Sequence, residues 1–267
     1  MVAKILIIAG SDSGGGAGIQ ADIKTITNLG GYASTAITAL TAQNTLGVQG
    51  IFPIPVDFIE KQIESVLSDI GADVIKTGML YSPDIIKLIA DIAKQKPEIK
   101  LVADPVMVAT SGDSLAGDDI TNTFINHLIP QAFLVTPNIP EAEILTGSCI
   151  KKEEEMIKAA QKIIEMGAKH VLIKGGHLEG NFVTDIMLSA NGDYQKYKHT
   201  RIDSRNTHGT GCSLASAISC YLSQGLNIAT AVEKSIDYIE TTINNAPNIG
   251  KGHGPLGHES YKLSIKH

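Results

Sequence analysis

The sequence has few cysteines, no run of basic residues and no long apolar stretch. Its three cysteines, Cys149, Cys212 and Cys220, have neither CxxC spacing nor the Cys/His spacing of a zinc site, which suits a reduced cytoplasmic setting. The formal net charge is −6, so the surface offers no general attraction toward nucleic acid or anionic membranes. The apolar stretch at residues 5–9 is too short for a signal-peptide core, and no apolar run approaches a membrane span. We therefore expect a cytoplasmic protein that binds neither nucleic acid nor membrane.

Two common nucleotide-binding motifs are also missing from a glycine-rich segment near the start of the chain. Residues 10–18 read GSDSGGGAG, which does not keep GxGxxG spacing, and no acidic residue follows at the required distance, near Thr35. No Gly-Lys-Ser/Thr follows either, so the segment is not a Walker loop. Its glycines would let the backbone approach a ligand and present amide donors at a helix start. We predict a ligand-contacting loop; a tight structural turn and a dinucleotide-binding loop are the alternatives.

What the sequence does contain is an alternation of short apolar runs and longer segments of helical period. Its 267 residues, 43% of them apolar, suffice for one sizeable core, so one domain over residues 1–267 is expected. Ile59 and Ile63 share a helix face, and Ser82 followed by Pro83 is a good helix start. The alternation predicts an α/β fold with three layers, α/β/α, around a mostly parallel sheet. Five runs are predicted as buried strands, at residues 5–9, 74–76, 101–103, 133–135 and 171–173.

Polar or glycine-rich segments directly follow four of these predicted strands. They lie at residues 10–18, 104–105, 136–138 and 174–176. In an open parallel sheet, ligands bind at the carboxyl ends of the strands. The sequence therefore predicts a binding site along this edge of the sheet.

The segment NTHGTGC at residues 206–212 precedes an apolar helical pattern at residues 213–222. The four residues at the predicted helix start are Gly209, Thr210, Gly211 and Cys212. Their consecutive amide donors would suit a transferring phosphoryl group, whose negative charge spreads over its peripheral oxygens. Cys212 would lie in the first turn, where the helix dipole lowers the pKa of a thiol. The alternatives are a glycine turn with a small buried cysteine, and a hydrolase that pairs Cys212 with His208.

An amide and a carboxylate lie three residues apart at another predicted helix start, at Asn138 and Glu141. Such a pair can hold a hydrated Mg²⁺, or Asn138 can be an N-cap that forms a capping box with Glu141. Local spacing alone does not decide between the two. Asp104 and Lys174, each at a strand end, favour the metal site because an acid and a cation complete a set for phosphoryl transfer.

Two further polar residues have both a functional and a structural interpretation. Gln43 follows the strand-like residues 33–39, and its primary amide can donate and accept in one plane, as an aminopyrimidine edge requires. Alternatively, Gln43 is a loop residue that satisfies nearby backbone groups. Asp22, on the first predicted helix, is either a site residue or a surface or capping acid.

Taken together, these segments resemble a known enzyme family. Residues 9–22 read AGSDSGGGAGIQAD and residues 37–45 read ITALTAQNT. Further segments follow in order: DPVMV at 104–108, SGD at 111–113, TPN at 136–138, KGGH at 174–177, THGTGC at 207–212 and GKGHGP at 250–255. Over essentially the whole chain, they strongly resemble the hydroxymethylpyrimidine/phosphomethylpyrimidine kinases of thiamine biosynthesis. The resemblance implies a ribokinase-like α/β/α fold and a homodimer. It also implies two ATP-dependent transfers, first onto the hydroxymethyl group of 4-amino-5-hydroxymethyl-2-methylpyrimidine and then onto the monophosphate.

The resemblance also implies roles for individual residues. The residues implied in binding the pyrimidine are Gln43, which would read the ring edge, and Asp22, Gly10, Ala17, Met79 and Val106, which would shape its pocket. The residues implied in binding Mg²⁺ and ATP are Asp104, Asn138 and Glu141, with Lys174, Thr207 and Thr210 at the nucleotide. The residues implied in catalysis are Lys174 and the anion hole formed by Gly209, Thr210, Gly211 and Cys212. Sugar kinases of the superfamily look like Gly-Ala-Gly-Asp at the anion hole, where the aspartate is the base, so Cys212 as the base is a hypothesis.

Three other functions compete with this assignment. A pyridoxal kinase on the same scaffold would also phosphorylate a hydroxymethyl group on a ring, although the Gln43 amide suits an aminopyrimidine. A nicotinamide-dependent oxidoreductase is disfavoured by the glycine spacing. A vitamin-binding protein without activity would have no use for residues 209–212 or Lys174.

Overall fold

The computed structural model describes residues 2–107 and 118–261 of the chain. Within these residues, nine strands form one sheet in the order β3-β2-β1-β4-β5-β6-β7-β8-β9. The strands are β1 Lys4–Asp12, β2 Tyr32–Asn44, β3 Gly47–Pro53, β4 Val74–Thr77, β5 Lys100–Ala103, β6 Leu134–Val135, β7 His170–Ile173, β8 Phe182–Ser189 and β9 Tyr194–Thr200. The α-helices are α1 Gly18–Asn28, α2 Val56–Asp69, α3 Pro83–Gln95, α4 Asp118–Thr123, α5 Ile139–Thr146, α6 Glu153–Glu165, α7 Thr210–Ser223 and α8 Ile228–Asn244. Motif residues 108 and 111–113 lie outside the described part of the chain.

The middle of the sheet is parallel and its two edges are antiparallel. Strands β2, β1, β4, β5, β6 and β7 pair in parallel. Strand β3 pairs antiparallel with β2, and β8 and β9 continue the other edge antiparallel to β7. The predicted mostly parallel sheet is confirmed.

Helices cover both faces of this sheet because its central strands are apolar on both faces. Leu101 and Ala103 of β5 pack into the core beneath α2, α3, α5 and α6. Val102, between them in the sequence, packs into a second core with α7 and α8. Side chains that alternate in a strand point to opposite faces. The predicted three-layer arrangement is thus confirmed.

All five predicted strands form, together with three strands that no sequence pattern predicted. Strands β3, β8 and β9 were not predicted; β9, for example, reads YQKYKHT and is mostly exposed, so it has no buried apolar run. The predicted strand at residues 33–39 is longer in the structure and continues to Asn44. Gln43 therefore lies within a strand, where it pairs with Val48 of β3, and the interpretation as a loop residue is corrected.

The helix starts include the predicted cap at Ser82. Its hydroxyl accepts a hydrogen bond from the Ile85 amide at 3.3 Å, and Pro83 occupies the first turn. Such caps satisfy amides that have no partner within the helix. Among the helices of the described residues, none has the length and apolar character needed to cross a bilayer.

Candidate active site

A cavity of about 710 Å³ lies at the carboxyl ends of the parallel strands, beside the start of α7. The predicted site residues that line it are Gly10, Ala17, Gln43, Met79, Asp104, Val106, Asn138, Glu141, Lys174, Thr207, Gly209, Thr210, Gly211 and Cys212. Of the predicted set, Asp22 is not among the lining residues. The structure therefore brings residues from seven separate segments of the chain around one volume, as expected for the carboxyl edge of a parallel sheet.

Lys174 is the cationic centre of the cavity. Its Nζ lies 3.0 Å from Oδ1 of Asp104 and 3.9 Å from Oε2 of Glu141. Burial opposes the charge of Lys174, but the two carboxylates raise its pKa above the ordinary value. Thr136 also donates to Oδ1 of Asp104, at 2.8 Å. The ammonium group is thus held charged at a defined point.

Asn138 and Glu141 form the capping box that the sequence left open as an alternative. Oδ1 of Asn138 accepts from the Glu141 amide at 2.9 Å, and Oε2 of Glu141 accepts from the Asn138 amide at 2.7 Å. The amide oxygen predicted as a metal ligand therefore accepts a backbone hydrogen bond at the start of α5. Glu141 is buried, and burial together with Asp104 raises its pKa to about 7 against the opposing effect of Lys174. At neutral pH its carboxyl group is therefore partly protonated.

The residues fit a hydrated magnesium ion, although not as a cage of protein ligands. Within residues 2–107 and 118–261, no three His, Cys, Asp or Glu side chains are placed to hold a metal together. Both Asp104 and Glu141 flank Lys174, and each carboxylate has a second oxygen beyond the one used by Lys174. Mg²⁺ in kinase sites takes one or two carboxylates and completes its octahedron with water and phosphate oxygens. This donor set meets that requirement.

The start of α7 approaches the glycine-rich segment and the Lys174 side chain very closely. Gly209 has φ +83°, and a Cβ placed on it would lie 1.9 Å from the carbonyl oxygen of Gly16, so only glycine fits there. A Cβ on Gly211 would lie 3.2 Å from Nζ of Lys174. The ammonium group therefore faces the first turn of α7, where the free amides of a helix N-terminus attract anions.

Cys212 lies in this first turn, but its thiol does not have the lowered pKa that the sequence predicted. Burial raises the pKa of Cys212 to about 11, and the nearby Lys76 only partly opposes that rise. The helix effect on the pKa is outweighed because the half-buried thiol is largely surrounded by protein, which disfavours its charged form. At neutral pH Cys212 is therefore a thiol, not a thiolate.

Asp22 is part of a buried ion pair rather than of the cavity wall. Both of its oxygens lie 2.9 Å from Nζ of Lys76, and Ser216 donates to Oδ1 at 2.7 Å. Asp22 and Lys76 are fully buried. Burial alone would lower the pKa of Lys76, but the Asp22 carboxylate raises it, so the ammonium stays charged. Asp22, expected from the resemblance to help shape the pyrimidine pocket, is thus held by Lys76 behind the cavity wall. No sequence pattern had indicated Lys76.

Other cavity residues also escaped the sequence analysis. His199 lies with Nδ1 3.1 Å from Glu240 and Nε2 3.5 Å from Asp185, and all three line the cavity. The contact with Asp185 raises the pKa of His199. These residues come from β8, β9 and α8, which carry no motif, so no sequence signal joined them.

Asp12 was also overlooked, although it lies in the glycine-rich segment. Its Oδ1 accepts from the Gly14 amide at 2.8 Å, and its Oδ2 accepts from the amides of Gly16 and Ala17 at 3.0 and 2.8 Å. The carboxylate therefore fixes the turn that leads into α1. An acid two residues before a run of glycines was the available signal.

Comparison with known proteins gives consistent matches. Residues 12–257 match the family described as Phosphomethylpyrimidine kinase. The chain is 44% identical over 260 residues to the hydroxymethylpyrimidine/phosphomethylpyrimidine kinase of Bacillus subtilis, covering 97% of this chain and 96% of that protein. It is 48% identical over 255 residues to the thiamine biosynthesis bifunctional protein ThiED of Geobacter sulfurreducens, covering 96% of this chain. The chain spans about half of that bifunctional relative, 52% of its length.

Solved structures include close matches to the fold. The pyridoxal kinase from Staphylococcus aureus in complex with AMP-PCP and pyridoxal superposes with a TM-score of 0.90 at 35% identity. The alignment covers 98% of this chain and 95% of the other. The sequence is thus more similar to the pyrimidine kinases above than to this pyridoxal kinase.

Proposed function

The chain belongs to the phosphomethylpyrimidine kinase family, and we propose that it phosphorylates 4-amino-5-hydroxymethyl-2-methylpyrimidine with ATP, first to the monophosphate and then to the diphosphate. It is a phosphotransferase of this family, and the predicted membership and ribokinase-like fold are confirmed. The observation that supports the proposal most directly is the position of Lys174 against the first turn of α7. Around that point lie the groups that a transferring phosphoryl needs: a cation, two carboxylates and a row of amides.

In the proposed reaction, the chain itself supplies mainly position and charge. The amides of residues 209–212 would bind the oxygens of the transferring group, and Lys174 would balance its negative charge. Both are in place before reaction, so little reorganisation is needed as charge develops. The cavity would hold the hydroxymethyl oxygen in line with the phosphorus, which is the main requirement of a loose transition state.

Magnesium has a proposed place beside Asp104 and Glu141. Asp104 and Glu141 would hold the ion, which would supply positive charge against the phosphate groups of ATP. The ionised form of Glu141 is the one that can ligate, so metal binding would release the proton that this group partly retains at neutral pH. Asn138 would act through the capping box, by holding Glu141 in position.

The direct test incubates the purified protein with Mg-ATP and one of three acceptors: the hydroxymethylpyrimidine, its monophosphate, or pyridoxal. Mass spectrometry follows the products. We expect mono- and diphosphate of the pyrimidine. Pyridoxal phosphate alone would leave the phosphate site as proposed but overturn the ring assignment, and this second candidate is favoured by the likeness to the pyridoxal kinase structure.

Cys212 is proposed to line the anion hole rather than to act as an obligatory base. We expect Cys212→Ser to keep kcat within about tenfold of the wild type, because phosphoryl transfer depends on position and electrostatics and the thiol is protonated at neutral pH. Steady-state kinetics at pH 7 and pH 9 measure this. A loss of about a thousandfold or more, typical of a removed catalytic nucleophile or base, would instead assign the proton transfer to Cys212.

A homodimer is proposed through the exposed side of the β2–β3 hairpin. Leu40 and Phe52 are paired across the two strands, so their side chains share a face, and they are 43% and 65% exposed. Phe58 of α2 is also exposed. Large exposed apolar side chains grouped at one edge favour association.

Phe52→Asp is expected to convert the dimer to a monomer, because it places a charge in an apolar contact. Analytical ultracentrifugation at micromolar concentration measures the mass. Phe182→Asp, which alters a similarly exposed phenylalanine at the opposite edge of the sheet, is the matched control and should leave the mass unchanged. A dimer that survives Phe52→Asp would place the contact elsewhere.

A further inference from the structure

Three polar side chains, those of Asp12, His208 and Gln43, connect the glycine-rich segment to the part of the cavity proposed to hold the pyrimidine ring. Nε2 of His208 lies 3.0 Å from Oδ2 of Asp12 and 3.3 Å from Nε2 of Gln43. The three residues come from β1, from the loop before α7 and from β2, and all of them line the cavity. Asp12 and His208 are buried. The arrangement is thus fixed by tertiary structure and not by a local motif.

The charge of Asp12 decides what His208 must contribute. Burial opposes ionisation of Asp12, but hydrogen bonds from His208 and from the amides of Ala17 and Gly14 bring its pKa below the ordinary value. An ionised carboxylate can only accept hydrogen bonds. His208 Nε2 therefore carries a hydrogen and donates it to Asp12.

The Gln43 amide has two orientations, which exchange Oε1 and Nε2, and its neighbours decide between them. One end faces Nε2 of His208 at 3.3 Å, and the other faces Oγ1 of Thr41 at 3.1 Å. The Thr41 hydroxyl has a single hydrogen, which it donates to the Ser11 carbonyl at 2.9 Å. Toward Gln43, Thr41 can then only accept. The protonated Nε2 of His208 has no lone pair with which to accept, and its one hydrogen, donated to Asp12, can at most be shared with an oxygen of Gln43 in a three-centre bond.

We infer that Asp12 and His208 are positioning residues that fix the Gln43 amide with its oxygen toward His208 and its nitrogen toward Thr41, and that they thereby set the ring specificity of the enzyme. In that orientation, one lone pair of the oxygen and one N–H of the nitrogen remain for a ligand. The amide then presents an acceptor and a donor in one fixed order. It selects a heteroaromatic ring with an exocyclic amino group next to a ring nitrogen, because only that edge offers the complementary donor and acceptor.

The inference rests on the proposed function, in which Gln43 contacts the ring. The test therefore compares two acceptors that differ by one group: 4-amino-5-hydroxymethyl-2-methylpyrimidine, and the same ring without its amino group. The quantity measured is the ratio of their kcat/KM values with Mg-ATP. A defect in folding, in the glycine-rich segment or in phosphoryl transfer lowers both values together and leaves the ratio unchanged.

His208→Leu is expected to reduce this ratio by about tenfold, the effect of one lost oriented hydrogen bond, mainly through KM. His208→Gln places an N–H near the position of the histidine Nε2 and is expected to restore most of the ratio. His170→Gln is the matched control. His170 lies at the amino end of β7, bonds to Ser189 and is absent from the cavity wall. The ratio of kcat/KM values for the two acceptors should therefore be the same in His170→Gln as in the wild type.

The outcomes separate the two claims. A wild-type enzyme with no preference for the amino ring would overturn the ring assignment of the proposed function, and this inference with it. A wild-type preference that survives in His208→Leu would overturn the inference alone. A preference lost in both His208→Leu and His208→Gln would also contradict it, because the effect would then not follow the donated hydrogen.

Discussion

Lys76→Met should lower the free energy of unfolding by about 3–5 kcal/mol, the cost typical of breaking a buried ion pair by removing one partner. Nζ of Lys76 bonds both oxygens of Asp22 at 2.9 Å, and neither side chain is exposed. Without the ammonium, the carboxylate is left charged in the interior or must take up a proton. Urea unfolding at pH 7, followed by circular dichroism, measures the change.

The same substitution at an exposed pair is the control. Lys61 lies 3.5 Å from Asp57 on the surface of α2, with both side chains more than two-thirds exposed at 68% and 72%. Lys61→Met should cost less than about 1 kcal/mol, since solvent screens such a pair. The difference between the two variants isolates burial as the cause.

A double variant tests whether charge or shape is responsible. Lys76→Met combined with Asp22→Asn removes both charges, so it should be more stable than the sum of the single losses predicts. Additive losses in the double variant would show that packing and not an orphaned charge accounts for the effect. A single-variant loss below about 1 kcal/mol would contradict the assignment of a tight buried pair.

Lys174→Met should reduce kcat/KM by about a hundredfold to a thousandfold, the range for removing one preorganised electrostatic group from a transition state. The ammonium group of Lys174 lies close to the first turn of α7, since a Cβ built on Gly211 would be only 3.2 Å from Nζ. The amides of this turn are the ones proposed to bind the phosphoryl group. Removing the cation also removes the charge that lowers the pKa of Glu141. The pKa of Glu141 should therefore rise above about 7, and the variant should need a higher pH for its residual activity.

Steady-state kinetics over a range of pH measure both effects. Lys169→Met is the matched control. Lys169 is exposed and immediately precedes β7, so it lies at the amino end of the strand whose carboxyl end leads into Lys174. It should leave kcat/KM unchanged. A Lys174 variant with normal kcat and only a raised KM for ATP would restrict the role of Lys174 to binding the nucleotide.

The parts of the site that the sequence predicted are those encoded by local patterns. Four of the five buried apolar runs were followed by a polar or glycine-rich segment, so Asp104, Asn138 and Lys174 were correctly placed at one sheet edge. The position of α7 also followed from the apolar pattern after residues 209–212. Such features depend on a few neighbouring residues, and the parallel sheet then brings them together.

The parts that were missed depend on partners far away in the sequence. Asp22 was expected to help shape the pyrimidine pocket, but nothing local indicated its buried partner Lys76, 54 residues away. The thiol of Cys212 was expected to be acidic from its helix position, but burial by the whole fold dominates its pKa. His208 and Gln43 are 165 residues apart, so their contact could not be predicted from spacing.

The contact between Gly209 and Gly16 has a consequence for recombination between relatives. Because a Cβ at Gly209 would meet the Gly16 carbonyl at 1.9 Å, the backbones of the two segments must match in shape as well as in sequence. A chimera that takes residues 10–18 from one parent and residues 206–212 from another would join two surfaces that were shaped separately. Crossover points that keep both segments from the same parent should yield active chimeras far more often than those that divide them.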